Sequence, residues 1–429
     1  MAGIIASSSS VEVEISTGDE IYVPETVSIA VTAGRAIDSD NTGNNNRRVV
    51  VDGTVVSTGS NAIRLADDAS ELGLNFVTVG REGVARTLNL AVNAAVWVFG
   101  SESLVENAGE ISGLWGIYVQ AYDGSGIINS GIASGGTNDA SASGILMDGS
   151  SGVQVQNSGL VVGANGVVGT DSDFTLRNSG EISGYSLAGV DASQSTPTGA
   201  VTIVNSGLIS GLTAAIIGTG FDDVVRNDGR LVGAVDLGDG ADVYRGFEDG
   251  AVMGAVLGGV GEDDLRGSRA DDALNGGADA DQLRGRRGDD DLTGGAADDF
   301  LYGGRGDDLL AGGGAKDALR GGADDDMLLG GGVADELFGG RGDDEMTGGG
   351  GADRYVVRRG GGEDVVTDFA DDADKLDLSA FGFARFNQVK KLASRADGGV
   401  LIDLDGVGGG SVQLEGFGFN AFDGADVIL

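Results

Sequence analysis

The sequence predicts an all-β fold: a parallel β-helix (β-solenoid) that continues into a parallel β-roll of shorter period and ends in a small C-terminal β cap. Three observations carry the prediction. Residues 258–356 repeat every nine residues, eleven times without a gap, on the template Gly-Gly-x-Gly-x-Asp-x-Leu-x. Residues 107–233 hold six copies of a second template, Asn-Ser-Gly-x-Ile-x-Gly, at spacings of 22, 28, 21, 27 and 22 residues. Apolar residues before these copies alternate with period two, as in Val153 and Val155, Phe174 and Leu176, or Val201 and Ile203, which fits strands rather than helices.

Taken from the N-terminus, residues 1–48 are expected to cap the solenoid. They contain a strand-like Val11-Glu-Val-Glu-Ile15 and a polar run from Asn41 to Arg48, and an uncovered end would otherwise invite pairing with another subunit. Met1 to Ser10 lacks the basic and apolar regions of a secretory signal peptide. The longest largely apolar stretch, Leu88 to Gly100, is too short to span a bilayer and contains Asn93. Cysteine is absent, so no disulfide framework exists.

Residues 49–236 are expected to form the β-helix, one coil per copy, with extra residues looped out at alternate coils. The copies start at Asn107, Asn129, Asn157, Asn178, Asn205 and Asn227, and Asp52-Gly-Thr-Val-Val-Ser57 reads as an earlier one. Asparagine recurring at one bend predicts a stacked amide ladder, which stabilises in-register parallel strands. Trp97, Trp115 and Tyr118 are read as filling the solenoid or its edge, with a carbohydrate or partner contact as the alternative. Residues 220–257 mix both templates, since Asn227-Asp-Gly229 belongs to the first and Leu237-Gly-Asp-Gly-Ala-Asp242-Val-Tyr244 is a worn nonapeptide. The two prolines, Pro24 and Pro197, lie away from this junction. One continuous solenoid is therefore expected.

Residues 237–356 are assigned to the roll. The sixth position is Asp in all eleven copies, at Asp263, Asp272, Asp281, Asp290, Asp299, Asp308, Asp317, Asp326, Asp335, Asp344 and Asp353, and Asp242 stands in the worn copy. Stacking places these carboxylates in columns that repel themselves unless cations intervene. The eighth position is apolar throughout, from Leu265 to Tyr355, and supplies the buried side of a very short strand. Glycines turn the chain and free main-chain carbonyls for a hard cation that takes six to eight oxygens. With neither Cys nor His in the chain, Ca²⁺ is favoured over zinc or copper, and a nonapeptide of this form is a calcium-binding unit of parallel β-helices.

On these residues the segment resembles the RTX (repeats-in-toxin) family, over roughly the C-terminal 45% of the chain. The resemblance implies that two nonapeptides make one turn and that several Ca²⁺ ions lie between same-side loops, held by sixth-position Asp and loop carbonyls. Asp272, Asp290, Asp308, Asp326 and Asp344 would then line one side, and Asp263, Asp281, Asp299, Asp317, Asp335 and Asp353 the other. The first side keeps Gly at 288, 306 and 342 in the fourth position and Asp throughout the fifth, whereas the second carries Lys316 and Val333. A β-branched Val at a turn needing positive φ is a steric outlier and a lysine competes with the ion. Tighter sites are expected on the Asp290, Asp308 and Asp344 side, and weaker or vacant ones around Lys316 and Val333.

Residues 357–429 are expected to cap the roll and to serve as the secretion signal. Val365-Val-Thr-Asp-Phe369 through Asp374 to Ser379 looks like the block after the repeats in RTX proteases and epimerases, and Asp423-Gly-Ala-Asp426-Val-Ile-Leu429 ends the chain with acid followed by apolar residues. The resemblance implies export by a type I exporter of a Gram-negative bacterium and folding outside, where calcium is plentiful.

Formal net charge is −40 over 429 residues, with 81 glycines, which argues against nucleic acid as a partner. Residues 258–356 alone carry 24 acidic and 10 basic side chains, a net of −14, on little core, so the roll is expected to fold only with calcium. Two functions are compatible with this composition. A calcium-assisted, lyase-like enzyme acting on polysaccharide would have to work without His, on scattered arginines: Arg35, Arg47, Arg48, Arg64, Arg81, Arg86, Arg177, Arg226 and Arg230. The reading adopted is non-enzymatic: a secreted structural or adhesive protein of the cell surface, self-associating in calcium, with a cell-surface polysaccharide as a further partner. Its Asn-Ser-Gly coils look like passenger regions of bacterial surface adhesins, and RTX-bearing surface-layer proteins use calcium to lock subunits into sheets.

Overall fold

The structure, a computed structural model, describes residues 4–5, 13–15, 20–31, 35–39, 47–65, 75–88, 94–120, 124–136, 141–149, 151–194, 199–370, 373–396 and 398–429. Val11, Asn41 to Asn46, Asn93 and Pro197 lie outside the described residues, as does Met1 to Ser10 apart from Ile4 and Ile5. The fold is all-β and the strands pair in parallel almost throughout; the described helices are Phe386–Lys390 and two 3-10 turns, Ser379–Phe381 and Asp405–Val407. The chain divides into two compact units, Met1–Gly238 with Val252–Gly254, and Asp239–Ala251 with Ala255–Leu429.

In the first unit most coils contribute three short strands, and strands of successive coils stack in parallel, nearly all of them in register. Leu104–Asn107, Glu110–Ser112 and Trp115–Gln120 form one coil and pair with Gly126–Asn129, Ile132–Ser134 and Ser143–Asp148 of the next. Alternation turns every second side chain inward. Val49, Val77, Val105, Ile127, Val155, Leu176, Ile203 and Val225 thus make one continuous buried column. Within the segment expected to cap the N-terminus, Glu20–Val23, Ser28–Val31 and Ile37–Ser39 form a coil of the same kind, parallel to Arg47–Val51, Thr54–Ser57 and Ile63–Leu65.

The amide ladder is present. Nδ2 of Asn107 donates to Oδ1 of Asn129 at 2.7 Å, and Asn129 to Asn157, Asn157 to Asn178, Asn178 to Asn205 and Asn205 to Asn227 follow at 2.8 Å each. All six side chains are buried. The glycine two residues after each Asn is required by close approach: a Cβ at Gly159 or Gly180 would sit 2.2 Å from the carbonyl oxygen of the matching glycine one coil back.

In the second unit the period shortens to two strands per turn. Strands eighteen residues apart pair in parallel, as in Leu265 with Leu283 and Leu301, or Leu274 with Leu292 and Leu310. Every eighth-position side chain is buried. Beyond the repeats, Glu363–Val366 and Lys375–Asp377 extend the two sheets in parallel. The antiparallel strands Ala393–Ala396, Gly399–Asp403 and Ser411–Glu415 close one of them. Tyr355, Phe369, Phe417 and Phe422 pack ring against ring beneath this cap, with centroids 5.0 to 6.5 Å apart.

Candidate metal site

Each strand of the roll begins at a seventh position and in most repeats runs on to the second or third position of the next, and the residues from there to the sixth position make the turn. The sixth-position Asp therefore stands where the turn re-enters the strand, and its side chain folds back over the first-position glycine. A Cβ added at Gly285 or Gly276 would lie 2.1 Å from Oδ2 of Asp290 or Asp281, so only glycine leaves room for the carboxylate. All eleven Asp side chains, and Asp242, are at most 5% exposed.

From Asp263 in one column and Asp290 in the other, Oδ1 of each carboxylate accepts the backbone N–H of the Asp one turn earlier. Asp272 donates to Asp290, Asp290 to Asp308 and Asp308 to Asp326 at 2.8 to 2.9 Å. Asp263 donates to Asp281, Asp281 to Asp299 and Asp299 to Asp317 at 2.8 Å. Two columns result, divided as the resemblance implies. Asp242 begins the second, donating to Asp263 at 2.8 Å.

Oδ2 differs. In Asp263, Asp281, Asp290, Asp299, Asp308, Asp317, Asp326, Asp335 and Asp344 it is buried without a hydrogen-bond partner. Burial and, for most of them, repulsion from neighbouring carboxylates push these groups far above the ordinary range: Asp290 and Asp326 to about 8, Asp281 and Asp344 to about 7, and Asp263, Asp299, Asp308, Asp317 and Asp335 to about 6. Rows of bare, hard oxygen atoms fit a divalent cation with a preference for oxygen. Among the described residues no three acidic side chains converge on one point, so loop carbonyls would complete the shell.

The two sides differ in their outer turns. On the first, Oδ1 of each fifth-position Asp accepts the N–H of its counterpart one turn later, through Asp271, Asp289, Asp307, Asp325 and Asp343. On the second, one such bond is formed, from the N–H of Lys316 to Asp298. The expectation that Val333 is a steric outlier is corrected. Asp279, Ala297 and Asp324 take left-handed φ of 70°, 77° and 82° at the fourth position, whereas Val333, like Ala270 and Ala315, does not. A branched Cβ is costly in that region, and the loop turns without it.

Period counting missed two members of these columns and a similar aspartate in the first unit. Asp364 and Asp374 accept the N–H of Asp344 and Asp353 at 3.4 and 2.9 Å, 20 and 21 residues on rather than 18. In the first unit Asp223 holds the N–H groups of Val201 and Thr219, both at 2.6 Å. The signals were visible as worn copies, Gly218-Thr-Gly-Phe-Asp-Asp223-Val-Val-Arg226 and Gly360-Gly-Gly-Glu-Asp364-Val-Val-Thr367. The Asp272 end of the first column and the Asp374 end of the second are closed by protein groups. Ser268 donates N–H and hydroxyl to Oδ2 of Asp272 at 2.6 and 3.1 Å, and Oδ2 of Asp374 accepts the N–H of Ala370 at 2.7 Å.

The other candidates separate. Trp97 is sandwiched between the Arg64 guanidinium, 4.8 Å from its ring centre, and Tyr118, stacked at 5.5 Å and 14°. Both ring faces are thus covered, and Tyr118 donates to Asp148 at 2.6 Å. The arginines considered for a lyase are dispersed: Arg35 and Arg64 pair with Asp38, Arg48 with Glu20 and Arg86 with Glu110.

The fold and the paired carboxylate columns define a parallel β-solenoid with calcium-binding repeats. The family model of the RTX calcium-binding nonapeptide repeat matches residues 257–292, 293–328 and 329–366, about a quarter of the chain, so the chain carries RTX repeats within a β-solenoid. The match runs ten residues past 356 and takes in Asp364. No curated protein matches the chain. RTX repeats are typically structural or toxin-like rather than catalytic, and are characteristic of proteins secreted by Gram-negative bacteria.

Proposed function

We propose that this is a secreted, calcium-dependent structural or adhesive protein that leaves a Gram-negative cell through a type I exporter, folds on binding several Ca²⁺ ions and self-assembles at the cell surface. The observation that carries the reading is the double row of buried carboxylate oxygens without partners. Asp242, Asp263, Asp272, Asp281, Asp290, Asp299, Asp308, Asp317, Asp326, Asp335, Asp344 and Asp353 stand in the two columns, and bound calcium would neutralise the charge they concentrate. The first side is the tighter one: its fifth-position ladder is continuous, and Asp290 and Asp326 are pushed up furthest.

Self-association is supported by the outer face of one roll sheet. Met327 and Leu329 stand 43% and 38% exposed there, beside Leu309 and Ala311 of the neighbouring strand. Apolar side chains grouped on a flat sheet suit contact with another protein surface. Static light scattering on the whole chain, with calcium raised from chelator-clamped zero to the millimolar range, tests this. Growth beyond the 42.9 kDa of one chain, reversed by chelator, is expected; a particle that contracts and stays monomeric removes the assembly.

A further inference from the structure

The second nonapeptide position is glycine in every copy except two, at Ser268 and Arg286. The glycines lie in the left-handed region, with φ from 93° at Gly349 to 133° at Gly322. Arg286 takes the same conformation, at φ 92°, where its Cβ is strained. Its Nη1 donates to the carbonyl oxygens of Gly246 and Gly267, at 3.1 and 3.4 Å. Gly246, Gly267 and Gly285 stack on the first side in successive turns, so the guanidinium reaches back across two of them. It lies near enough to act electrostatically on Asp272, whose Oδ2 is already filled by Ser268. A cation that collects loop carbonyls beside a sixth-position Asp does what a metal ion does in such a loop, but it is covalently attached and always charged.

We infer that Arg286 is a tethered cation that closes the Asp272 end of the first column in place of a calcium ion, so that the turns around residues 264–290 hold together before the rest of the roll has bound metal. The inference rests on the reading that the columns hold calcium. It turns one end of the roll into a starter on which metal-dependent turns are laid, the costly nucleus of a repeat array being supplied in advance.

The test uses the whole chain and calcium alone. Equilibrium dialysis at saturating calcium is expected to give one more ion per chain in the double variant Ser268→Gly with Arg286→Gly, which restores the glycine pair, than in the unaltered protein; Arg286→Gly alone gives the same readout if the double variant does not fold. Hydrogen exchange in chelator is expected to show amides of 264–290 protected in the unaltered chain and exchanging with the later turns in the variant. An unchanged ion count, or 264–290 exchanging in the unaltered chain as fast as later turns, overturns the inference. An unaltered chain that takes up no calcium at all overturns instead the reading of the columns beneath it.

Discussion

A buried carboxylate with one oxygen bonded and the other bare has two routes to a stable fold, a proton or a cation. Asp290, at about 8, and Asp281, at about 7, lie above the ordinary carboxylate value near 3.9. Without metal, the stabilisation by protonation is complete below the unfolded value and is lost as pH rises through about 6 to 8. Circular dichroism in chelator should therefore show the roll gaining structure on acidification from pH 8 towards pH 5. Calcium competes for the same oxygens, so its apparent affinity should rise with pH over that window; an affinity flat from pH 6 to 8 would show that these groups do not bind the ion. Substitution should also separate the columns. Asp308→Ala is expected to weaken calcium binding more than Asp335→Ala, whose neighbours include Val333 and Ala334, in a titration of each variant followed by calorimetry.

At the scale of a coil, asparagine and aspartate solve the same stacking problem with different requirements. An amide carries donor and acceptor together, so Asn178 donates to Asn205 while accepting from Asn157. Asn178→Ala strands both neighbours and should cost about 1–3 kcal/mol, equally in calcium and in chelator, by denaturant unfolding of the first unit's signal. The recurrence of Asn at one bend made this ladder legible in the sequence, and the nine-residue period made the eighteen-residue pairing legible. The ladder's limit was not legible. In the same column, ahead of Asn107, stand Val79 and Val51, because any side chain that fills the bend keeps the strands in register. Asp364 and Asp374 escaped for a related reason: a loop two or three residues longer leaves the stacking intact and breaks the period. Arg286 was hidden at a position where glycine is the rule, since its role comes from where the guanidinium reaches rather than from spacing.

Over the whole molecule, stability is gathered locally, each coil leaning on its neighbours, and no single centre holds the fold. The Asn ladder draws its cohesion from within the chain, whereas the Asp columns borrow theirs from the surrounding fluid. One atom per side chain, an amide nitrogen in one unit and a carboxylate oxygen in the other, sets that difference. Each unit therefore has its own source of strength, fixed within the chain for the first and set by the bath for the second. In single-molecule pulling, withdrawal of calcium should soften the rupture events of the second unit and leave those of the first unchanged, so that the ionic composition of the bath decides which unit yields first under load.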